Sequence, residues 1–271
     1  MSTWLITGAT SGFGRLVADR VIASGNQVIA IGRRRDRLDD LVASAPEGRV
    51  TAIVLDLTDP GAEKTVGDAV RAAGGLDVVV NNAGYGLFGS VEQTSADEAK
   101  ANFDTNVSAN LAVLRATLPA IRASKGRIVQ LSSLVGSFAW PASGLYSASK
   151  AAVELFSEAL ALELAPTGAK VTVIQPGMFA TEFTTSAHVV PPSEPYLPTV
   201  GAFLEQVSQI PADTMGDPNA VADAILAVAT MDEPPLRLAV GQDAIDAIRN
   251  ALQTRLSELD QWAATDLTPA V

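Results

Sequence analysis

Seven short apolar runs recur along the chain: Trp4 to Ile6, Val28 to Ile31, Val50 to Leu55, Val78 to Val80, Ile128 to Leu131, Val171 to Ile174 and Leu236 to Val240. They are rich in Val and Ile and apolar at nearly every position, which predicts strands covered on both faces and hence a parallel sheet. Helix-compatible stretches lie between them: Phe13 to Ala23, Asp36 to Ala43, Gly61 to Ala73, Ala96 to Ala123, Leu145 to Ala165 and Asn219 to Ala229. This alternation predicts an α/β fold: one doubly wound Rossmann-type domain over residues 1–271, its seven-stranded parallel sheet flanked by helices on both faces. Pro60 and Pro218 stand where helices could begin, and Gly25 and Gly168 where two should end.

Two segments depart from that rhythm. Residues 182–216 carry Pro191, Pro192, Pro195, Pro198 and Pro211 among Phe183, His188, Tyr196 and Phe203. So long an interruption with aromatic residues predicts a substrate loop or lid. Residues 243–262 place Ile245, Ile248, Leu252, Leu256 and Leu259 at three- and four-residue steps, which predicts a closing helix with a packing stripe.

The bulk composition narrows the function. With 271 residues, 48% of them hydrophobic, the chain can bury one large core. A formal charge of −11 disfavours nucleic acid and anionic membrane surfaces, so a small-molecule partner is expected. There is no Cys, and His188 is the one His, which excludes thiolate chemistry, His-based triads and the usual zinc sites; no metal is predicted. No run reaches the ~20 apolar residues of a membrane span. The stretch Met1 to Thr7 lacks the basic region of a signal peptide. With the absence of Cys, these points make the cytoplasm the expected location.

Candidate chemistry begins after the first strand, at Thr7-Gly8-Ala9-Thr10-Ser11-Gly12-Phe13-Gly14. Glycines there let the backbone approach a pyrophosphate, and the following helix offers unpaired N–H groups and a favourable dipole. Gly8, Ser11, Gly12, Phe13 and Gly14 are therefore candidate dinucleotide contacts. The second strand ends Gly32-Arg33-Arg34-Arg35, where an NAD site places an acid for the ribose 2′-hydroxyl. Arg33, with Arg34 as a possible second ligand, instead suits the 2′-phosphate of NADP(H), favouring it over NAD(H).

Tyr146 and Lys150 stand four residues apart on a helix-forming run, thirteen and seventeen residues after Ser133. Side chains at that separation share a helix face, so an ammonium can sit beside a phenol and strengthen it as an acid. Bringing a phenol from pKa ~10 to neutrality takes about 4 kcal/mol, and a unit charge at ~4 Å in an effective dielectric near 20 supplies about that much.

Together the glycine turn, Asn81-Asn82-Ala83-Gly84, Asn106, Ser133, Tyr146, Lys150 and Pro176-Gly177 resemble the short-chain dehydrogenase/reductase family over about residues 3 to 241. The glycine spacing resembles its compact oxidoreductase branch. Tyr146-Ser147-Ala148-Ser149-Lys150 and the segment after Pro176 resemble the subgroup with 17β-hydroxysteroid and retinol dehydrogenases.

The resemblance implies a catalytic tetrad of Asn106, Ser133, Tyr146 and Lys150. Tyr146 acts as general acid/base, Ser133 orients the carbonyl, Lys150 holds the nicotinamide ribose and favours the phenolate, and Asn106 anchors a relay water. By the same analogy Asp56 and Leu57 contact adenine, Asn82, Ala83 and Gly84 line the adenosine and ribose, and Pro176, Gly177 and Thr181 hold the nicotinamide end. Ser132 is then a packing residue.

The apolar residues Trp140, Leu145, Met178, Phe179 and Phe183 are expected, with the lid, to enclose a hydrophobic ketone, aldehyde or alcohol. His188 is a weaker candidate for substrate contact. A homodimer or homotetramer through the long helices is also implied. The alternatives are a non-catalytic NADP(H)-binding regulator or scaffold, and an epimerase or dehydratase, which the glycine spacing disfavours.

Overall fold

The computed structural model describes residues 1–263. Each of the seven apolar runs forms a strand: β1 Thr3–Thr7, β2 Gln27–Gly32, β3 Val50–Val54, β4 Val78–Asn81, β6 Arg127–Leu131, β7 Lys170–Pro176 and β9 Arg237–Val240. They make one parallel sheet in the order β3-β2-β1-β4-β6-β7-β9. The winding reverses between β1 and β4, so the loops leaving those two strands diverge and open a crevice at their carboxyl ends.

Helices α1 Gly12–Ala23, α2 Arg35–Ser44 and α9 Pro218–Thr230 cover one face through Val17, Val21, Leu38, Leu41, Val221 and Ile225. On the other face α3 Ala62–Ala72, α5 Ala109–Ser124 and α6 Gly144–Leu164 bury Val66, Val70, Val113, Ile121, Leu160 and Leu164. Helix α9 starts where Pro218 and the Asp217 cap predict, the Asp217 side chain accepting from the Asn219 N–H.

Four expectations need correction. The β3 run is not covered on both faces: it is the outermost strand, paired only with β2, and Thr51, Ala52 and Val54 are exposed. The stretch from Ala96 is not one regular helix. Helix α4, Ala96–Phe103, opens on a Ser95/Glu98 capping box and passes through a π turn, Asp104–Ser108, into α5.

The lid is more than a loop. It carries α7 Phe183–Ser186, β8 His188–Val189 and α8 Ala202–Ser208. Strand β8 pairs in parallel with β5, Leu87–Phe88. The Ser193 N–H also donates to Gln93 Oε1 at 3.0 Å, and Tyr196 bonds Glu92. The closing helix α10, Gln242–Ala263, packs through Ala244 and Ile248, whereas Leu252, Leu256 and Leu259 of its stripe are exposed. Among the described residues no helix is long and apolar enough to cross a membrane.

Candidate active site

The crevice is built first by the turn between β1 and α1. Gly8 and Gly12 take φ of +67° and +52°, which side chains resist. A Cβ on Gly14 would lie 2.5 Å from the Gly8 carbonyl oxygen and 2.5 Å from Asn82 Nδ2. Asn82 reaches in from the end of β4, its Nδ2 donating to the Thr7 carbonyl at 2.9 Å. The Asn82 and Ala83 N–H groups both donate to Thr7 Oγ1 at 3.0 Å. So Asn82 pins the turn, and its amide serves the protein backbone.

Ser11 makes no side-chain cap, and the first turn of α1 holds no acid. The end of α1 presents its positive dipole where the Glu182 carboxylate of the lid also reaches the Ser11 side chain, a position suited to an anion such as a pyrophosphate. Thr181 lies across from it, 3.8 Å from where a Cβ on Gly12 would stand. These residues fit a dinucleotide.

Gly14→Ala is expected to cost about 1–3 kcal/mol by overpacking, lowering Tm by roughly 2–10 °C and coenzyme affinity at least tenfold. Differential scanning calorimetry and fluorescence titration read the two effects.

At the end of β2, a Cβ on Gly32 would fall 2.4 Å from Thr10 Cγ2, so this backbone has no room for an acid there. Arg33 projects into solvent, 77% exposed, with Nη1 3.6 Å from Asp56 Oδ2. Asp56 also accepts from Thr58, and these contacts hold its carboxyl below the usual range against partial burial. Arg34 bonds Thr10 Oγ1 and reaches Glu182 Oε2 at 2.9 Å, joining the turn to the start of the lid. Leu57 is half-buried against the α3/α5 face.

The Tyr146, Lys150, Ser133 and Asn106 group converges at the carboxyl ends of β4 and β6. Tyr146 is 5% exposed, its ring between Phe88 and Phe183 at centroid distances of 5.7 Å each. Burial raises its phenol pKa well above the ordinary value, offset only partly by the Ser133 hydroxyl beside it. Lys150 donates to the Leu131 carbonyl at 2.7 Å, with Nζ 5.9 Å from the Tyr146 ring centroid. Burial pulls its pKa down to about 8, opposed by the negative charge of Glu154.

The spacing argument for an acidified phenol is thus corrected. The ammonium is anchored on a backbone carbonyl, and burial disfavours charge on both groups.

Gly84 brings the β4 loop against the group: a Cβ there would stand 2.9 Å from Asn106 Oδ1 and 3.5 Å from Lys150 Nζ. Asn106 lies in the π turn with its side-chain amide bonded to the β4 loop and to α6. Oδ1 accepts from the Tyr85 N–H at 3.0 Å, while Nδ2 donates to the Tyr85 carbonyl at 3.1 Å and Ser149 Oγ at 3.0 Å. The two Nδ2 hydrogens are thus taken by the protein, while Oδ1 has accepted one of the two bonds it can.

Of the substrate candidates, Phe183 and Leu145 join Tyr146, Leu87, Val135 and Phe88 in one apolar cluster. Trp140 packs between Phe138 and Phe203 at 5.2 and 5.9 Å, bringing the lid helix α8 to the cluster's edge. Phe179 is misplaced by the expectation: it packs edge-on against Phe13, 5.8 Å away, in the core on the α1/α9 side. Phe13 is therefore a core residue as much as a turn residue.

Met178 donates its N–H to Asp243 Oδ2 at 2.7 Å, and that carboxylate fills the space a side chain on Gly177 would need. Buried Pro176 ends β7 beside them. His188 bonds Glu98 Oε1 at 2.6 Å on the surface and does not join the Tyr146 cluster. Ser132 donates to Glu154 Oε1 at 2.7 Å. Sequence reasoning missed Phe88, Asp243 and Glu154; for Glu154 a signal existed, the four-residue step continuing from Tyr146 through Lys150.

Residues 2–189 match the family model described as short chain dehydrogenase. Among curated relatives, oxidoreductase BOA17 of Botryotinia fuckeliana is 37% identical, with 98% of each chain covered. A 3-ketodihydrosphingosine reductase of Bacteroides thetaiotaomicron is 34% identical over 88% of this chain and 87% of its own. Among solved structures, a short-chain dehydrogenase from Streptomyces avermitilis superposes with a TM-score of 0.89 at 40% identity, covering 97% of this chain and 96% of the other. A serine dehydrogenase in its closed form, complexed with NADP+, gives 0.76 at 29% identity, covering 88% and 93%.

Proposed function

The chain belongs to the short-chain dehydrogenase family of oxidoreductases, and we propose that within it the protein interconverts a hydrophobic ketone or aldehyde and its alcohol, with NADP(H) preferred and Tyr146 as the acid–base group. The observation that carries this reading is the buried Tyr146 phenol, walled by Phe88 and Phe183, with the Ser133 hydroxyl beside it and Lys150 one helical turn away.

The glycine turn, Arg33, Asp56 and the 82–84 loop are the residues that would hold the coenzyme. A bound nicotinamide supplies the hydride for reduction, or accepts it for oxidation.

The chain's own groups manage the oxygen. Ser133 donates a hydrogen bond to the carbonyl oxygen, fixing its position and stabilising the charge that gathers on it. Tyr146 passes its proton to that oxygen as the carbon is reduced to a carbinol. A phenol held protonated by burial is suited to that direction, and in oxidation the same group must first lose its proton. Lys150 compensates negative charge on the phenolate left behind, and the aromatic walls keep bulk water from the reacting oxygen. The aromatic and aliphatic lining favours apolar substituents on the carbonyl. The 3-keto lipid named for the Bacteroides relative is a compound of that class.

The amine of Lys150, with its pKa lowered to about 8, is charged below that pH and neutral above it. Reduction is therefore expected to hold at acid to neutral pH, fall to about half near pH 8 and continue down above it, read as kcat at saturating NADPH. NADPH oxidation with a panel of aliphatic, aromatic and long-chain ketones and aldehydes tests the assignment. No turnover across that panel, with intact coenzyme binding, would favour a non-catalytic coenzyme-binding role.

A further inference from the structure

A carboxylate in the interior lies directly behind this site. Glu154 is 5% exposed, on the same face of α6 as Lys150 and one turn further along. Its oxygens accept from Ser132 Oγ at 2.7 Å, from Gln175 Nε2 at 3.0 and 3.1 Å, and from Arg237 Nε at 3.3 Å. A Cβ on Gly136 would stand 2.2 Å from Glu154 Oε1, so the turn that follows Ser133 is folded directly onto this carboxylate. Glu154 thus touches the residue before Ser133, the turn after it and the residue before Pro176.

We propose that Glu154 is a positioning residue for the reaction: its charge keeps Lys150 an ammonium, and its hydrogen bonds hold the Ser133 turn in register with Tyr146. The proposal rests on the catalytic reading of Tyr146, Lys150 and Ser133. Burial alone drives Lys150 toward the neutral amine, and a carboxylate one turn away is the group that opposes it.

Other charges near the pair are accounted for. Arg237 on β9 lies on the side of Glu154 reached from the sheet edge and is shared with the partly exposed Glu158, one further turn along α6. From the π turn Asp104 faces Lys100, and Asn106 contributes no charge. Asp243 from α10 is bonded to the Met178 N–H.

The test is the Glu154→Gln variant, which keeps shape and loses charge. Its direct readout is NMR titration of 13Cε-labelled lysine, tractable because the chain has five lysines and Lys150→Arg assigns the signal. The Lys150 midpoint is expected to fall by about one unit or more, and the alkaline limb of kcat to move down with it. Glu154→Asp, which retains the charge, is expected to restore most of the midpoint.

A Lys150 midpoint in Glu154→Gln that stays with the parent overturns the proposal, whatever happens to Tm. Should the single variant fail to fold because it strands Arg237, Glu154→Gln with Arg237→Gln removes both charges; the midpoint must still fall, by less than in the single variant, because losing the Arg237 cation raises it. A parent that titrates as expected but reduces no carbonyl sinks the catalytic reading alone; an active parent with an unmoved variant sinks this proposal alone.

Discussion

Tyr146→Phe is expected to reduce carbonyl turnover by roughly 10²- to 10⁴-fold, the usual worth of a positioned general acid, while coenzyme affinity stays within about twofold of the parent. The substitution deletes one oxygen and leaves the ring between Phe88 and Phe183, so packing is conserved. It takes one hydrogen-bond partner from the half-buried Ser133 hydroxyl, and stability should fall by no more than about 1 kcal/mol. Ser133 remains able to polarise the carbonyl, which is why residual activity is expected instead of none. Single-turnover kinetics with prebound NADPH isolate the chemical step, and fluorescence titration reports coenzyme binding. Turnover within tenfold of the parent would remove Tyr146 from the mechanism.

How far such a site can be read from the chain depends on how local its causes are. The glycine turn is legible because positive φ and close backbone approach leave few residue choices, and Gly8, Gly12 and Gly14 stand where those demands fall. Tyr146 and Lys150 are legible because a helix fixes the relation of positions four apart. The π turn at Asn106 is not, since one extra residue in a helix leaves the surrounding apolar pattern nearly unchanged.

Strands β5 and β8 are two residues each, too short for any period, and they pair across about a hundred residues. Phe179 is expected beside Met178, but β7 ends at Pro176, the chain bends at Met178, and Phe179 bridges to Gly216 and packs in the other core. Glu154 is hidden for another reason. In the sequence the four-residue step from Tyr146 through Lys150 puts it on their helix face, but only the fold brings Arg237, 83 residues on, and Gln175 around it.

Under the proposed preference for NADP(H), replacing both Arg33 and Arg34 with Ser is expected to cut kcat/KM for NADPH about a hundredfold and leave that for NADH within about threefold. The figure follows from losing two charge-assisted bonds at about 1.5 kcal/mol each, the low end of their range because the site is open to solvent.

The two arginines are not equal. Arg34 is already engaged by Thr10 Oγ1 and the Glu182 carboxylate, so part of its charge is spent inside the protein. Arg33 is the more available, held only loosely to Asp56 at 3.6 Å. Arg33→Ser alone should therefore account for more of the loss than Arg34→Ser alone. An acid cannot simply be installed at position 32 to create an NAD site, because Thr10 occupies the space its side chain needs. A switch toward NADH thus requires Thr10 to shrink as well, as in Thr10→Gly with Gly32→Asp. Steady-state kcat/KM for both coenzymes across this series decides the matter. Equal use of NADH and NADPH by the parent would show that the basic pair does not read the 2′-phosphate.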